Sequence, residues 1–481
     1  MKPDDPNAAT VRSAAQRVVG SALVAAAAMG STGAAPADEP AAARPPARSS
    51  LVLDVREFGA RGDGATLETA AIQAAIDRAA DAGGGEVLLP PGVYLSGTIE
   101  LRSGVTLRLA EKARLRGTDR LEAYRAFAPP EGTFEARLGK WHRALVLADS
   151  AEDVAIVGPG MIDGGNVTDP TGEEKRRGPH TVLLGRCRRA ALRDLTIRGS
   201  GNYAVMLEWS EEVELRDVKI LGGYDGVHFR ASADRPCRDL AIVDCSLATG
   251  DDAIAGRYLD RLRVEGCEIN SSCNGVRIIG PVRDMVLKDC RFEGPGRHAH
   301  RTSGRRDMLS GVLLQPGAWD PCPGALEGVT IDDVTMKNVA SPVSIYLRRE
   351  GNTIDRVRIE RLEATGVWRA AASVESWTGQ PVGSVTLSDV KIEYVGGGTK
   401  TQSAEAAKPP GLDCRALPAW GFYARNVRQL RIERTQLRCA KPDGRHVALF
   451  EQVEDLRTEA FDVPVLGDAA EPVRRILAAP R

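Results

Sequence analysis

The sequence predicts an all-β fold, a parallel β-helix formed by a single domain. Two observations predict this fold: a strand-like segment recurs every 22–23 residues, and apolar and polar residues alternate within each segment. The composition agrees, because the chain has 50 glycines among 481 residues and only 5% aromatic residues. Short strands joined by tight turns use glycine in this way, since glycine readily adopts the positive φ that many turns require.

The repeats are clearest between residues 191 and 294, in the segments ALRDLTIRG, VELRDVKILG, LAIVDCSLATG, LRVEGCEINSS and MVLKDCRFEG. Ile197 and Ile220 lie 23 residues apart, Cys245 and Cys267 lie 22 apart, and Cys290 follows 23 residues later. After an insertion the pattern returns in VTIDDVTMKNV, VRIERLEATGV, VTLSDVKIEYV and LRIERTQLRC. This period is too short for paired-helix repeats, which need about 33 residues. Each repeat is therefore predicted to form one coil that packs against the coils on either side.

The N-terminal residues differ in composition from the rest of the chain. Residues 18–30 form a 13-residue apolar run that is followed by small residues. Because a membrane span needs about 20 apolar residues, residues 1–37 are predicted to be a signal peptide or a disordered export segment. Residues 38–50 have the composition of a linker. We therefore expect export to the periplasm or the extracellular space, and no insertion into a membrane.

Residues 51–465 are predicted to form the β-helix domain, and residues 466–481 a C-terminal tail. Within the domain, residues 69–82 have apolar residues at helical spacing, and three glycines, at 83–85, stop that pattern. We expect this helix to cover the first coil, where unpaired strand edges would otherwise favour association with other chains.

Charge and cysteine content exclude several classes of function. Lysine and arginine number 64, aspartate and glutamate 65, so the net charge of -1 gives no electrostatic case for nucleic acid as a partner. The nine cysteines are an odd number, and those in the repeats are interpreted as small buried apolar residues. Cysteine and histidine spacing matches no zinc site, so neither a metal nor another cofactor is expected. The expected oligomeric state is a monomer.

Polar residues cluster in three turns that are one coil apart: GYDGVH (223–228), TGDDAI (249–254) and SSCNGVRI (271–278). Asp225 and Asp251 are 26 residues apart, and Asp252 and Asn274 are 22 apart. Residues one coil apart stack at about 4.8 Å, so these side chains are predicted to share one face. Neighbouring residues of a strand point to opposite sides, so Asp251 and Asp252 can share that face only where the strand ends or bulges, which Gly250 permits.

Three carboxyl groups this close raise the pKa of at least one of them. Glycoside hydrolysis needs this combination, because one carboxylic acid protonates the leaving oxygen while a carboxylate activates water. A calcium site and a solvated turn are the other interpretations of the Gly-Asp-Asp sequence.

The ordered motifs resemble those of glycoside hydrolase family 28, the polygalacturonase family. Asp-Gly, Gly-Asp-Asp and x-Gly-x-x-Ile follow one another at one-coil spacing, as the family's Asn-Thr-Asp, Gly-Asp-Asp and Gly-His-Gly motifs do. Further similarities are found in FGARGDG (58–64), VGPGMIDGG (157–165) and the coil at 200–220. The resemblance covers roughly residues 52–460. It implies a right-handed parallel β-helix and an inverting hydrolase of pectic polysaccharides, with Asp251 as the general acid and Asp225 and Asp252 together activating water.

The sequence also departs from the family pattern. Gly223 and Tyr224 replace the family's Asn and Thr, and Asn274 replaces its histidine. The family's Arg-Ile-Lys bases, which bind the galacturonate carboxylate, are missing near Gln315. Their loss makes "polysaccharide hydrolase" a firmer prediction than "polygalacturonase".

A substitute cation is expected from Arg277 or from the insertion HAHRTSGRRDM (298–308). Arg277 would otherwise be a surface residue of the solenoid, His228 a turn residue and Trp319 a packing residue. The residues predicted to bind substrate are Asn274, Arg277, His228, Tyr224, Gln315 and Trp319.

Two alternative functions remain open from the sequence. The first is a polysaccharide lyase on the same fold, which the three aspartates and the scarcity of cations in the motifs disfavour. The second is a non-catalytic carbohydrate-binding or structural β-helix, which the missing histidine and bases favour and the retained aspartates oppose. The predicted function is cleavage of glycosidic bonds in a pectin-like or related acidic polysaccharide.

Overall fold

A computed structural model describes residues 51–129, 142–464 and 472–476. The predicted signal peptide or export segment (1–37) and the linker (38–50) lie outside the described residues. Within them, the chain winds into coils of three short strands, and each strand pairs in parallel with its equivalents in the neighbouring coils. The prediction of an all-β parallel β-helix is confirmed.

The strands form three parallel sheets that run along the solenoid. The first sheet contains Asp63–Leu67, Gly92–Ser96, Ala113–Gly117, Met161–Asp163, Thr196–Arg198, Lys219–Leu221, Ser246–Thr249, Glu268–Ser271, Arg291–Glu293 and Lys391–Tyr394. The second contains Ile99–Leu101, Ala144–Asp149, His180–Gly185, Val205–Glu208, Val227–Arg230, Ile254–Gly256, Asn274–Ile278, Ser310–Leu314, Val343–Leu347, Ala372–Ser376 and Val473–Ile476. The third contains Val52–Asp54, Gly85–Leu89, Val105–Leu109, Glu152–Val157, Arg188–Arg193, Glu211–Arg216, Cys237–Val243, Leu259–Glu265, Val282–Lys288 and Val382–Ser388.

Four long strands bend from one sheet into the next. Gly324–Lys337 and Asn352–Val367 pass from the third sheet into the first. Ala419–Cys439 and His446–Asp462 each contribute to all three sheets. The described helices are the α-helices Thr69–Asp81 and Lys400–Ser403 and the 3-10 helices Val55–Phe58, Leu121–Ala123 and Glu173–Lys175. None of the described helices is long and apolar enough to cross a membrane.

The core is a stack of apolar side chains, one set from each coil. Ile197 pairs in register with Ile220, and Ile220 with Leu247, so the 23-residue spacing in the sequence is one turn of the solenoid. The repeat cysteines at positions 245, 267 and 290 are free and buried, as their position in strand-like segments predicted. Buried apolar side chains from Val55 to Val453 belong to one cluster, so the apolar core is continuous along the axis.

A left-handed residue turns the chain from the third sheet to the first in successive coils. Asp217, Asp244, Gly266 and Asp289 hold this corner, with φ between 51° and 65°. Aspartate tolerates this conformation better than most residues do, and glycine adopts it without strain. The Asp-Val, Asp-Cys and Gly-Cys pairs of the repeats mark this corner, which keeps the coils in register.

The helix Thr69–Asp81 covers the free edge of the second sheet's first strand. The amide of Gln73 donates a hydrogen bond to the carbonyl of Glu100 (3.1 Å) and accepts one from its N–H (2.8 Å). Gly83, at φ 84°, ends the helix and donates to the carbonyl of Ala80. The predicted capping role is therefore carried by a side chain that replaces the missing neighbouring strand.

Candidate active site

The candidate site lies where the first sheet turns into the second. Val205 pairs with Val227, Val227 with Ile254 and Ile254 with Val276. The residues two positions before each of these form a column along the solenoid: Tyr203, Asp225, Asp252 and Asn274. Asp252, and not Asp251, is therefore in register with Asp225. The sequence spacing from Asp225 to Asp251 ends one residue short of the residue that is in register.

Asp251 reaches the same region because the strand Ser246–Thr249 ends just before it. Its N–H donates to the carbonyl of Tyr224 (3.2 Å), and the Thr249 hydroxyl donates to its carbonyl (2.9 Å). Gly250 is required here, since a Cβ at that position would lie 2.3 Å from the carbonyl oxygen of Gly223. The strand end at Gly250 thus allows Asp251 and Asp252 to share a face, with carboxylate oxygens within 4.8 Å of each other.

A chain of hydrogen bonds orients Asp225. His228 Nδ1 lies 2.6 Å from Asp225 Oδ2, Arg230 Nε donates to His228 Nε2 (3.0 Å), and Arg230 Nη2 donates to the hydroxyl of Tyr203 (2.9 Å). Burial and the nearby guanidinium of Arg230 hold the pKa of His228 well below its usual range, so this imidazole is neutral. Because Nε2 accepts from Arg230, the single ring proton is on Nδ1 and is donated to Asp225.

Asp252 is held by the next coil. The backbone N–H and the side-chain amide of Asn274 donate to its Oδ1 at 3.0 and 2.8 Å. Arg277 lies 3.5 Å from its Oδ2. Two predicted substrate-binding residues, Asn274 and Arg277, therefore contact a predicted catalytic carboxylate.

Asp251 is contacted by two residues from insertions between the first and second sheets. Arg177 Nη2 donates to Asp251 Oδ2 at 2.7 Å, and His300 Nε2 lies 3.3 Å from the same oxygen. The insertion at 298–308 was predicted to supply a cation, and His300 belongs to it. Arg177 was not foreseen, because nothing in the sequence KRRG distinguishes it from its neighbour Arg176.

The three aspartates are almost fully buried, with exposures of 4% for Asp225, 8% for Asp251 and 5% for Asp252. Burial, reinforced by the neighbouring carboxylates, raises the pKa of Asp225 well above its usual range. Burial also raises the pKa of Asp252, although Arg277 partly opposes this. For Asp251, hydrogen bonds and charge from His300 and Arg177 outweigh burial and lower its pKa. The site therefore combines one carboxyl group with a lowered pKa and two carboxyl groups with raised pKa values.

The remaining predicted substrate-binding residues have different surroundings. The Tyr224 hydroxyl lies 3.2 Å from that of Thr302, and the guanidinium of Arg177 lies over its ring. Gln315 is buried and donates to the carbonyl of Leu412 (3.1 Å). Trp319 is 51% exposed, 5.2 Å from the guanidinium of Arg277. Of these three, Trp319 has the most accessible side chain, and the binding roles of all stay predictions.

Three loops surround the aspartates: loop I (164–179), loop II (294–309) and loop III (395–418). Loop I supplies Arg177 and loop II supplies His300, and the hydroxyl of Thr302 donates to the carboxylate of Glu174 between them. Loop III lies on the other side, where the carbonyl of Leu412 accepts hydrogen bonds from Arg277 and Gln315. The described loops thus contribute residues next to the carboxylates from loops I and II, and next to Arg277 and Gln315 from loop III.

Among the described residues, Asp251, Asp252 and Cys273 offer three potential metal ligands within 4.8 Å of one another. Arg177 and Arg277 already pair with the two carboxylates. These positive charges oppose a divalent cation, so the donor set fits a metal poorly.

Comparison with known proteins identifies families and individual proteins that are similar to this chain. Residues 180–303 match the family described as "Right handed beta helix region", and residues 52–108 match "Rhamnogalacturonase A/epimerase, pectate lyase-like". A probable polygalacturonase of Arabidopsis thaliana is 22% identical over 406 residues, which cover 77% of this chain and 82% of that protein.

Two solved structures share the fold. An exopolygalacturonase from Thermotoga maritima is 19% identical, with a TM-score of 0.57 over 82% of this chain and 93% of that one. PfbA, a surface adhesin of Streptococcus pneumoniae, is 15% identical, with a TM-score of 0.52 over 84% and 92%. The chain is therefore a distant relative of the polygalacturonases, as its motifs predicted, and it is built on a right-handed parallel β-helix.

Proposed function

We propose that this protein is a glycoside hydrolase that cleaves an acidic, pectin-like polysaccharide. The observation that carries the proposal is the group of Asp225, Asp251 and Asp252, three buried carboxyl groups on consecutive coils with pKa values shifted in opposite directions. Carboxyl groups with opposite shifts are what acid and base roles in glycoside hydrolysis require. The similarity to polygalacturonases supports the same reaction.

By position in the family motifs, Asp251 protonates the leaving oxygen, and Asp225 and Asp252 activate water. The ligand-free charge distribution is the reverse of this assignment, because Arg177 and His300 favour the ionised form of Asp251. For Asp251 to act as the acid, another anion has to share Arg177, and Asp251 has to take up a proton from Asp225 or Asp252. The side chains of Arg277 and Trp319 extend the site, since an exposed tryptophan can stack on a sugar ring.

The proposed hydrolase inverts the anomeric carbon. The oxygens of Asp251 and Asp252 lie within 4.8 Å, closer than the roughly 6.5–9.5 Å between the acid and base carboxyl groups of most inverting enzymes. In the proposed arrangement Asp225 and Asp252 hold the water together, and inversion requires that water to attack the face of the sugar opposite the leaving oxygen. Proton NMR of the first product tests this, because inversion releases a sugar of opposite configuration and retention would refute it.

The hydrolase proposal is tested by assaying reducing ends released from polygalacturonan and other acidic polysaccharides. Asp251→Asn, Asp225→Asn and Asp252→Asn are each expected to lower kcat by about 10²–10⁴-fold, the usual contribution of general acid–base catalysis. Asp244→Asn is the matched control, because Asp244 occupies a left-handed corner outside the site and asparagine tolerates the same φ. Full activity of all three site variants would refute the proposal.

A polysaccharide lyase is the second candidate function, and one observation favours it. Arg177, Arg230, Arg257 and Arg277 are all buried at this face, whereas the sequence motifs offered few cations. A lyase uses such charges to neutralise the uronate carboxylate. Products that absorb in the ultraviolet as unsaturated uronates would favour the lyase over the hydrolase.

A non-catalytic β-helix is the third possibility, and the fold of the adhesin PfbA is compatible with it. Binding of polysaccharide without release of reducing ends or unsaturated products would favour this role. We also propose export to the periplasm or the extracellular space, where polysaccharide substrates are found. Fractionation of cells that express the full chain tests export, and retention in the cytoplasm would refute it.

A further inference from the structure

Arg177 is a buried guanidinium with unused hydrogen-bonding capacity. Its side chain is 6% exposed, and a single nitrogen, Nη2, makes both of its ion pairs, with Asp251 (2.7 Å) and Glu174 (2.8 Å). Nε is enclosed and has no hydrogen-bond partner among the described residues. Because Nε is enclosed it cannot meet a ligand, whereas Nη1 has no hydrogen-bond partner among the described residues and is the nitrogen left for one.

The plane of this guanidinium is fixed by aromatic rings. Its central carbon lies 4.1 Å from the centre of the Tyr224 ring and 5.8 Å from that of Tyr203. Tyr224 is itself tied to loop II through Thr302. Because Nη2 already donates to Asp251 and Glu174, a carboxylate ligand would accept a single charge-assisted hydrogen bond from Nη1.

Arg277, one of the two sources of a substitute cation expected from the sequence, is less available. Its Nη2 donates to the carbonyl of Leu412, its Nη1 faces Asp252, and its central carbon lies over Trp319. Within the described part of the chain, the side chain of Arg177 has no such backbone partner. It contacts Asp251, the carboxylate that the family motifs assign to proton donation.

We propose that Arg177 binds the carboxylate of the sugar unit at the cleavage site, so that loop I makes the enzyme select acidic over neutral sugar chains. This inference rests on the proposed function and gives a role to a residue outside the family motifs. The substrate carboxylate accepts a hydrogen bond from Nη1 of Arg177 and shares the positive charge of Arg177 with Asp251. Only a proton moves in this step, from Asp225 or Asp252 to Asp251.

The test compares trigalacturonate with its carboxyl-reduced counterpart, which has the same sugar configuration and no charge. Kinetics and calorimetric binding are measured for the full-length wild type, Arg177→Gln, Arg177→Lys and the control Arg176→Gln, a change at the exposed neighbouring arginine. Wild type and Arg176→Gln are expected to prefer the acidic compound by about 100-fold or more in kcat/KM. Arg177→Gln is expected to lose most of that preference, and Arg177→Lys to retain part of it.

A purely structural role for Arg177 predicts a different result. Equal losses on the acidic and neutral compounds in Arg177→Gln would overturn the inference, as would equal binding of both by the wild type. Arg177→Lys keeps the charge, so it also tests the idea if Arg177→Gln does not fold. Selective binding of trigalacturonate without hydrolysis would refute the proposed hydrolase and support the role of Arg177, whereas hydrolysis without charge preference would do the reverse.

Discussion

At the scale of single residues, the site is defined by how the protein distributes charge among three aspartates. Asp225 accepts a hydrogen bond from a neutral histidine, Asp252 from Asn274, and Asp251 from Arg177. The neutral partners leave burial as the dominant influence on Asp225, whereas a guanidinium stabilises the charge of Asp251. Chemically identical side chains therefore differ in pKa because their neighbours differ.

The raised pKa of Asp225 has a consequence for stability. A carboxyl group with a higher pKa in the folded state than in the unfolded state makes the protein less stable as the pH rises. The loss begins at the pKa of the unfolded state and continues through the pKa of the folded state. Asp225→Asn is therefore expected to raise the melting temperature relative to wild type at pH 8, and the gain should vanish near pH 4. Each unit of raised pKa is worth about 1.4 kcal/mol. Thermal unfolding of both proteins across this pH range tests the prediction, and a difference independent of pH would contradict it.

The cysteines allow a second prediction at this scale. All nine are free, and eight of them are buried. Burial raises the pKa of Cys439, the partly exposed thiol, to about 11. We expect about one thiol to react slowly with a thiol reagent in the native protein and nine after unfolding. The melting temperature should not change with reductant, and a reductant-dependent shift would indicate a disulfide.

At the scale of elements, the coils and the capping helix could be predicted from the sequence, whereas most contacts of the site could not. The period located the coils, and Gly250 marked the strand end that brings Asp251 and Asp252 together. His228 and Arg230 lie two residues apart in one strand, on the same side of it. The hydrogen bond between their side chains could therefore have been predicted from the sequence. Arg177 is 74 residues from Asp251, and no local pattern encodes how a loop folds over a neighbouring coil.

The capping helix makes a testable contribution to stability. Gln73→Leu preserves helix propensity but removes both hydrogen bonds to Glu100, leaving its N–H and carbonyl without partners. We expect a loss of about 1–3 kcal/mol in the free energy of unfolding, measured by urea denaturation. Arg78→Leu, on the exposed side of the same helix, is the control. Equal effects of the two changes would show that the amide of Gln73 does not stabilise the edge.

At the scale of the whole molecule, the loops decide how a polysaccharide can reach the aspartates. Loops I and II contact Asp251 directly, and loop III lies across Arg277 and Gln315 on the C-terminal side. An open groove admits the middle of a chain, whereas loops that close one end of a site admit only a chain end.

We therefore expect release of mono- or disaccharides from chain ends. With polygalacturonan as substrate, reducing ends should accumulate while the viscosity falls slowly, and short products should dominate from the earliest time points. An endo-acting polygalacturonase assayed in parallel provides the comparison. A rapid loss of viscosity with mixed oligosaccharides would contradict this expectation.

The two ends of the solenoid are closed differently, and this difference predicts the end at which unfolding begins. The helix Thr69–Asp81 closes the N-terminal end, whereas the last long strand, His446–Asp462, has a described neighbour on its outer side only at Val473–Ile476. Because each coil is supported only by its neighbours, local opening is expected to spread inward from the less protected end. Backbone amides should then exchange with deuterium in a gradient, fastest in the last coils and slowest in the coils that carry the aspartates, so the reaction centre would be among the last regions to open.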